Sequence, residues 1–363
     1  MKLSSIFFLL IVFISSCATP VPVTSTENAA ATIIPTSTDS PISTPIPTSS
    51  SSSHLEPFGL VRISAAETSF NVNGDGMNVD SISFWEASDP TQTLMFVTSK
   101  DNASIEVYQY PFKVQTQTIS CGRASNGVWV DQDRNVLYIT ERDSSNVCAY
   151  ELPDLNANAS LSFRTAATRG GSEPNLAMLH LPDGQRRIYI SYDDRVYFHD
   201  AETGDSLGEF EPMEGLETMY GDDYYQVLYI PDENDRSGIY VYNPDGNSAG
   251  SKFADRSIFD SDAEGIWVYK CFASTGTDNG EGLIVVADQK DELTDFELFH
   301  RNTKAHLGTI HIDGVNNTDG IAITQQSFPD YPLGLLAVID DDTSTVGVGW
   351  NTILEKTGLS CGG

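Results

Sequence analysis

Six acidic or amide residues recur at a nearly regular interval, and each opens a turn that precedes an apolar run. Five of the six carry a carboxylate, and the steps between them are 46, 47, 44, 47 and 55 residues. Carboxylates that converge on one place favour Ca²⁺, which takes roughly six to eight oxygen ligands in flexible geometry. The spacing therefore indicates a cation site whose ligands come from separate repeats. We call these six the ring residues: Asp80, Asn126, Glu173, Glu217, Glu264 and Asp319.

Each repeat contains a second apolar run that ends in polar residues, such as VLYITERD at Val136–Asp143. Multistranded repeats of this length are typical of propeller blades. We therefore predict an all-β, six-bladed β-propeller with antiparallel four-stranded blades, the last completed by GLVRISAAETSF before the first repeat. In an antiparallel pair, the start of the first strand and the end of the second share a face. The second-strand ends, among them Lys100, Glu233 and Gln289, should therefore surround the same channel mouth as the ring residues.

The N-terminal part of the chain differs in composition from the rest. Residues 1–17 read MKLSSIFFLLIVFISSC, which is typical of a secretory signal whose ISSC ending resembles a lipobox, with lipid attached to Cys17. Residues 18–55 are rich in Ser, Thr and Pro and predict a disordered tether. The propeller should occupy residues 56–363. We expect a protein that is secreted, or anchored by lipid at the bacterial cell surface or envelope.

The charge balance and the cysteines restrict the possible partners and the fold. With 20 Lys and Arg against 51 Asp and Glu, phosphate-backbone attraction is absent, so nucleic-acid binding is not expected. The acidic excess also suits solubility outside the cell, and we expect a monomer. Four cysteines besides Cys17 predict two disulfides with three possible connectivities. The pairing that we favour is Cys121 with Cys148 and Cys271 with Cys361.

Several motifs resemble those of a known family. They are DSDAEGIWVY (Asp260–Tyr269), NNTDGIAI (Asn316–Ile323) and DYPLGLLAV (Asp330–Val338), and VDSISFW resembles the family's opening DDPAIW. In order and spacing they are similar to the β-propeller phytases, secreted calcium-dependent phosphatases with six blades. The resemblance extends from about Asp75 to Ile353.

The resemblance implies a calcium-dependent hydrolase of the 3-phytase type, which releases phosphate from phytate or a related phosphomonoester by attack of calcium-activated water. Lys100 would contact the phosphate, while Glu217 and Glu264 would hold the activating Ca²⁺ together with Glu233. The ring positions Asp80 and Glu173 join the set of predicted metal ligands. The complete set is Asp80, Glu173, Glu217, Glu233, Asp262, Glu264, Gln289 and Asp319.

The chain departs from the family pattern at several positions. Val128 and Val130 stand where the family has an Asp and a phosphate-binding Arg, and Asn175 replaces a Tyr. Ser81 and Asn317 each replace an Asp. Each change removes a phosphate contact or a cation ligand. These departures leave a second hypothesis open: a catalytically inactive, phytase-like propeller that binds calcium and a surface ligand or protein.

Overall fold

The computed structural model describes residues 53–74, 78–101, 103–142, 144–165, 173–192, 194–212, 216, 218–233, 238–250 and 252–361. The signal-peptide prediction, Cys17, almost all of the predicted tether and Glu217 lie outside the described residues. The predicted domain boundaries therefore stay predictions. Within the described residues, no helix has the length and apolar character needed to cross a membrane.

The described residues form six small sheets, which confirms the predicted all-β, six-bladed propeller. Two strands precede the first blade: β1 (Leu60–Ile63) and β2 (Phe70–Asn73), with a 3-10 turn between them at Ala65–Glu67. Blade one contains β3 (Val79–Trp85), β4 (Leu94–Ser99), β5 (Ser104–Gln109) and β6 (Gln115–Ile119), with a 3-10 turn at Pro90–Gln92. Blade two contains β7 (Ser125–Asp131), β8 (Val136–Glu141), β9 (Asn146–Glu151), β10 (Asn156–Ala157) and β11 (Phe163–Arg164). Blade three contains β12 (Leu176–His180), β13 (Arg186–Tyr192), β14 (Arg195–Asp200) and β15 (Ser206–Phe210).

The second half of the chain continues the pattern. Blade four contains β16 (Tyr220–Asp222), β17 (Val227–Pro231) and β18 (Ile239–Tyr242). Blade five contains β19 (Asp262–Phe272), β20 (Asp278–Gln289), β21 (Asp295–His300) and β22 (His306–Ile312). Blade six contains β23 (Ile321–Thr324), β24 (Leu335–Asp340) and β25 (Ser344–Gly349), followed by helix α1 (Trp350–Thr357).

The blades pack as a closed ring around a central channel. The innermost strands β3, β7, β12, β16, β19 and β23 neighbour one another in that order, and β23 returns to β3. Apolar residues on both faces of the second strands form the core between blades, which is why β4 and β8 are buried along their whole length. Between blades one and two, for example, Phe96 and Val107 pack with Leu137 and Ile139. Because every inner strand runs in the same direction, the ring residues that the structure describes lie at one end of the channel.

The chain before the first repeat completes blade six, as predicted, but through a strand that starts later. β2 pairs antiparallel with β25, and Phe70 lies opposite Gly347. A Cβ atom on Gly347 would lie 2.2 Å from the Phe70 ring, so the absence of a side chain lets this ring cover the strand. The first part of the predicted segment, β1, instead pairs parallel with β22 at the outer edge of blade five. Only Phe70 of GLVRISAAETSF belongs to the closing strand.

The prediction of four strands in every blade needs correction. Blades two and five have five strands each, and the described part of blade four has three. After β18 the sequence NPDGNSAG is rich in residues that disfavour strands. Two isolated bridges form there among the described residues, Ile239 with Phe253 and Tyr242 with Ser248. Two disulfides link the same cysteines that the sequence paired, Cys121 with Cys148 and Cys271 with Cys361. The second bond ties the C-terminal segment to β19.

Candidate functional site: the acidic channel mouth

The channel mouth is formed where the inner strands begin, and two glycines let neighbouring blades approach closely there. Gly320 follows Asp319, and a Cβ atom on it would lie 2.0 Å from the backbone oxygen of Asp80. Gly265 follows Glu264, and its Cβ would lie 2.8 Å from the backbone oxygen of Asp319. Since glycine has no Cβ, it allows these contacts. The glycines therefore bring acidic residues of blades five, six and one into one cluster, which we call the acidic mouth.

Lys100 lies at the centre of the acidic mouth, directly after β4. Its Nζ is 2.7 Å from Asp80 Oδ1 and 3.9 Å from Asp319 Oδ2, and it donates a hydrogen bond to Glu173 Oε2. Burial opposes the charge of Lys100, but the three carboxylates outweigh burial and raise its pKa. Lys100 is therefore charged at neutral pH. The structure brings four of the predicted site residues, from three blades, into direct contact.

Hydrogen bonds from the adjacent residue Ser81 and from blade two fix the orientation of Asp80. Ser81 Oγ donates to Asp80 Oδ2 at 2.9 Å, and Asn126 Nδ2 donates to the same oxygen at 3.1 Å. Asn175 Nδ2 donates in turn to Ser81 Oγ at 3.3 Å. Ser81 and Asn175, two departures from the family pattern, therefore orient a carboxylate of the acidic mouth.

Arg142 is a second cation at the mouth that the sequence analysis did not assign to the site. It follows β8, and its Nη2 lies 2.6 Å from Glu173 Oε1, so Glu173 stands between Arg142 and Lys100. The Arg142 side chain is 28% exposed, whereas that of Lys100 is 5% exposed. The guanidinium is therefore the more accessible of the two cations. Its place at the end of a second strand is the sequence signal that points to it.

Glu233 faces the same cluster from blade four. Burial, followed by the charges of Asp262 and Glu173, raises the pKa of Glu233 to about 7, and Lys100 opposes this rise. Such a pKa is expected where several carboxylates share a small volume with few cations. Glu233 and Asp262 therefore belong to the same electrostatic cluster as Lys100.

Asp319 connects blades five and six at the mouth. Gln289 Nε2 donates a hydrogen bond to Asp319 Oδ1. Burial, followed by the charge of Asp80, raises the pKa of Asp319 to about 8, and the side chain of Asp342 is hydrogen-bonded to it. Asp342, which the sequence analysis did not assign, has a positive φ of 53° that its sequence context does not reveal. Burial also raises the pKa of Asp342.

The remaining predicted residues take different places. Glu264 is buried near the start of β19, and its backbone oxygen accepts a hydrogen bond from Thr218 Oγ1 at 2.6 Å. Val128 is buried among apolar side chains of blades one and two. Val130 lies farther along the channel, where it lines a cavity beyond the mouth. β7 therefore brings no arginine to the acidic mouth, and Arg142 reaches it from the neighbouring strand.

A second group of carboxylates lies at the edge of this face. Oxygen atoms of Asp260, Asp288 and Asp295 lie within 4.8 Å of one another. Lys290 Nζ is 3.2, 3.1 and 2.5 Å from these three residues, respectively. A lysine therefore already neutralises this group, which we interpret as a structural ion-pair network.

Comparisons with known proteins show a match to one family model. No curated protein matches the chain. Among solved structures, the hydrazine synthase of Kuenenia stuttgartiensis is similar in fold, with a TM-score of 0.49 and 11% sequence identity. The alignment covers 73% of this chain and 74% of that chain. This similarity is too weak to support an argument. Residues 189–354 match the family model for phytase, from β13 to α1. Together with the six blades, this match over residues 189–354 confirms the resemblance to the phytase family that the motifs indicated.

Proposed function

We propose that this propeller binds Ca²⁺ in the acidic mouth and hydrolyses phosphomonoesters there, with phytate as the first substrate to test. The observation that carries the proposal is the convergence of Asp80, Glu173 and Asp319 on Lys100. Carboxylates from three blades supply ligands for a cation, and the lysine supplies a contact for a phosphate. The phytase match over residues 189–354 supports the same reaction class.

The donor set of the mouth fits Ca²⁺. It consists of hard oxygen atoms on several blades, which suits a cation of high and flexible coordination number. The raised pKa values of Glu233 and Asp319 are consistent with this, because burial first and neighbouring carboxylates second disfavour their ionised forms when no cation is bound. The residues that would hold Ca²⁺ are Asp80, Glu173, Glu217, Glu233, Asp262, Glu264, Gln289 and Asp319. Bound there, Ca²⁺ would offset the negative field, polarise phosphoryl oxygens and lower the pKa of a coordinated water.

The side chains of the mouth would have distinct tasks in this reaction. Lys100 would act as a fixed positive charge for one phosphoryl oxygen, since its ammonium is held in place by three carboxylates. Arg142 would contribute a planar guanidinium at the more exposed side, in place of the arginine that the family carries on the first strand of blade two. Ser81 and Asn126 would keep Asp80 oriented toward Lys100.

A second candidate function is a non-catalytic propeller that binds Ca²⁺ and a surface ligand or protein. The positions of Val128 and Val130 favour it, because Val128 is buried between blades, Val130 lines a cavity beyond the mouth, and neither supplies an acid or an arginine. Under this alternative, Lys100 and Arg142 would serve to balance charge. The two functions differ in catalysis and agree in calcium binding.

Phosphate release from phytate by the full-length chain, in excess Ca²⁺ and in EGTA, separates the two candidates. We expect release that depends on Ca²⁺ in the wild-type protein. Lys100→Met should lower the rate about 100-fold or more, because a charge that contacts the developing phosphoryl charge is lost. Lys113→Met, at an exposed bend between β5 and β6, is the matched control and should leave the rate unchanged.

Calcium binding by the same samples tells the outcomes apart. A folded protein that binds Ca²⁺ and releases no phosphate from phytate or p-nitrophenyl phosphate would exclude the hydrolase and retain the binding module. Release that persists in EGTA would contradict the calcium dependence.

A further inference from the structure

The central channel has a second opening, at the ends of the inner strands and away from the acidic mouth. It contains a cavity of about 250 Å³. Three aromatic residues from blades two, five and four, Trp129, Trp267 and Tyr220, form its floor. The ring centroids of Trp129 and Trp267 are 5.3 Å apart with an interplanar angle of 27°, and Tyr220 lies 5.8 and 5.3 Å from them. These rings contact one another across the channel.

A long hairpin in blade five brings a cation to this cavity. β19 and β20 have 11 and 12 residues, whereas no other strand among the described residues exceeds seven. The hairpin therefore extends past the neighbouring strands and carries Lys270 and Phe272 to the opening. Gln325 fixes the backbone of Lys270: its Oε1 accepts from Lys270 N at 2.8 Å, and its Nε2 donates to Lys270 O at 2.7 Å.

Lys270 differs from the other charged residues of the cavity because they are paired locally. Glu86 Oε1 accepts hydrogen bonds from Thr324 Oγ1 and from the backbone N–H groups of Gln325 and Gln326. His180 Nδ1 lies 2.8 Å from Asp223 Oδ2, and Asp223 Oδ1 accepts from the backbone N–H of His180. The ammonium of Lys270 forms no ion pair within 4.0 Å with any residue that the structure describes.

We propose that this cavity binds a small organic anion that carries a flat ring, with the ring on the tryptophan floor and the carboxylate or phosphate at Lys270. Flat rings stack well on aromatic side chains. A lysine is a strong point-charge partner for an anion, whereas it would repel a cationic ligand. Phe272, which is 39% exposed at the opening, extends the apolar wall. Apolar walls with a few placed polar groups are the usual composition of a small-molecule site.

Fluorine NMR on the full-length chain in EGTA tests the proposal with defined probes. The probes are 4-fluorobenzoate and 4-fluorophenyl phosphate, which distinguish a carboxylate from a phosphate ligand, and neutral 4-fluorobenzyl alcohol. We expect saturable line broadening for at least one anion and at least tenfold weaker binding of the alcohol. Lys270→Met should weaken anion binding about tenfold, Lys270→Arg should retain it, and Lys113→Met should have no effect.

The variant Lys100→Met decides whether the probe binds at this cavity or at the acidic mouth. Anion binding should be the same in Lys100→Met and in the wild type. The proposal is wrong if neither anion binds, if the alcohol binds as tightly as the anions, or if Lys100→Met abolishes binding while Lys270→Met does not. The comparison of charged and neutral probes uses the wild-type protein, so it holds even if a variant fails to fold.

Discussion

At the scale of single residues, the acidic mouth is a cluster in which carboxylates outnumber cations. The repeat spacing predicted Asp80, Glu173 and Asp319, because a turn residue at the start of an inner strand has a fixed place in a propeller. Arg142 and Asp342 were not assigned, because their participation depends on the path of turns after second strands. The repeat spacing predicts which end of the channel a residue lies at, but it does not predict which side chains that residue contacts.

The raised pKa of Glu233 predicts how stability varies with pH in the absence of Ca²⁺. A carboxyl group whose folded pKa, about 7, exceeds its ordinary value of 4.5 stabilises the fold at low pH, and this contribution is lost as the pH rises through 7. Glu233→Gln removes the ionised form. In EGTA at pH 8, the free energy of unfolding of Glu233→Gln should therefore be about 1–3 kcal/mol higher than that of the wild type. This range allows for solvent screening, because Glu233 is partly exposed.

Urea denaturation at pH 5 and pH 8 measures this difference, which should become small at pH 5. Glu292→Gln, at an exposed bend between β20 and β21, is the control and should differ little from the wild type at either pH. A stability difference for Glu233→Gln that is equal at both pH values would contradict the assignment of the raised pKa to Glu233.

At the scale of strands and blades, the sequence predicted the second strands well, since each is a short apolar run buried on both faces. The predicted closing segment, residues 59–70, overlaps the closing strand β2 only at Phe70, and β1 was not assigned to blade five. The residues of β1 and β2 have similar strand propensity. Which of the two closes blade six is determined only by their pairing, β1 with β22 and β2 with β25. Among the described residues, blade four has no outer strand, and the local cause is the Gly- and Pro-containing segment after β18.

The closure of blade six predicts that the N-terminal strands are needed for folding. A chain that starts at Gly74 lacks β1 and β2, exposes the edge of β25 and loses the packing of Phe70 against Gly347. We expect this chain to lose its cooperative thermal transition or to aggregate. A chain that starts at Ser53 keeps both strands and is the control.

Circular dichroism during heating distinguishes the two chains. The chain from Ser53 should unfold cooperatively at a temperature close to that of the full-length protein. If the chain from Gly74 unfolds at that same temperature, the closing strand does not contribute to stability and the account of blade six is wrong.

At the scale of the whole molecule, the channel has two chemically different ends. Acidic residues surround Lys100 at one mouth, and aromatic rings with Lys270 form the cavity at the other. The sequence predicted the acidic end, because its residues recur once in each repeat. It gave no indication of the aromatic end, whose residues come from unrelated positions in blades two, four and five and meet only after the ring of blades has closed.

The proposed calcium site at the acidic mouth is tested most directly by calorimetric titration of Ca²⁺ into the Ca²⁺-free full-length protein at pH 7. Repeating the titration in two buffers of different ionisation enthalpy gives the number of protons released. We predict binding with release of about one proton per molecule, because Glu233 and Asp319, with pKa values of about 7 and about 8, lose protons when a cation arrives. Asp319→Asn should weaken binding and lower the proton release. Absence of calcium binding by the folded protein, or binding that Asp319→Asn leaves unchanged, would contradict the proposed site.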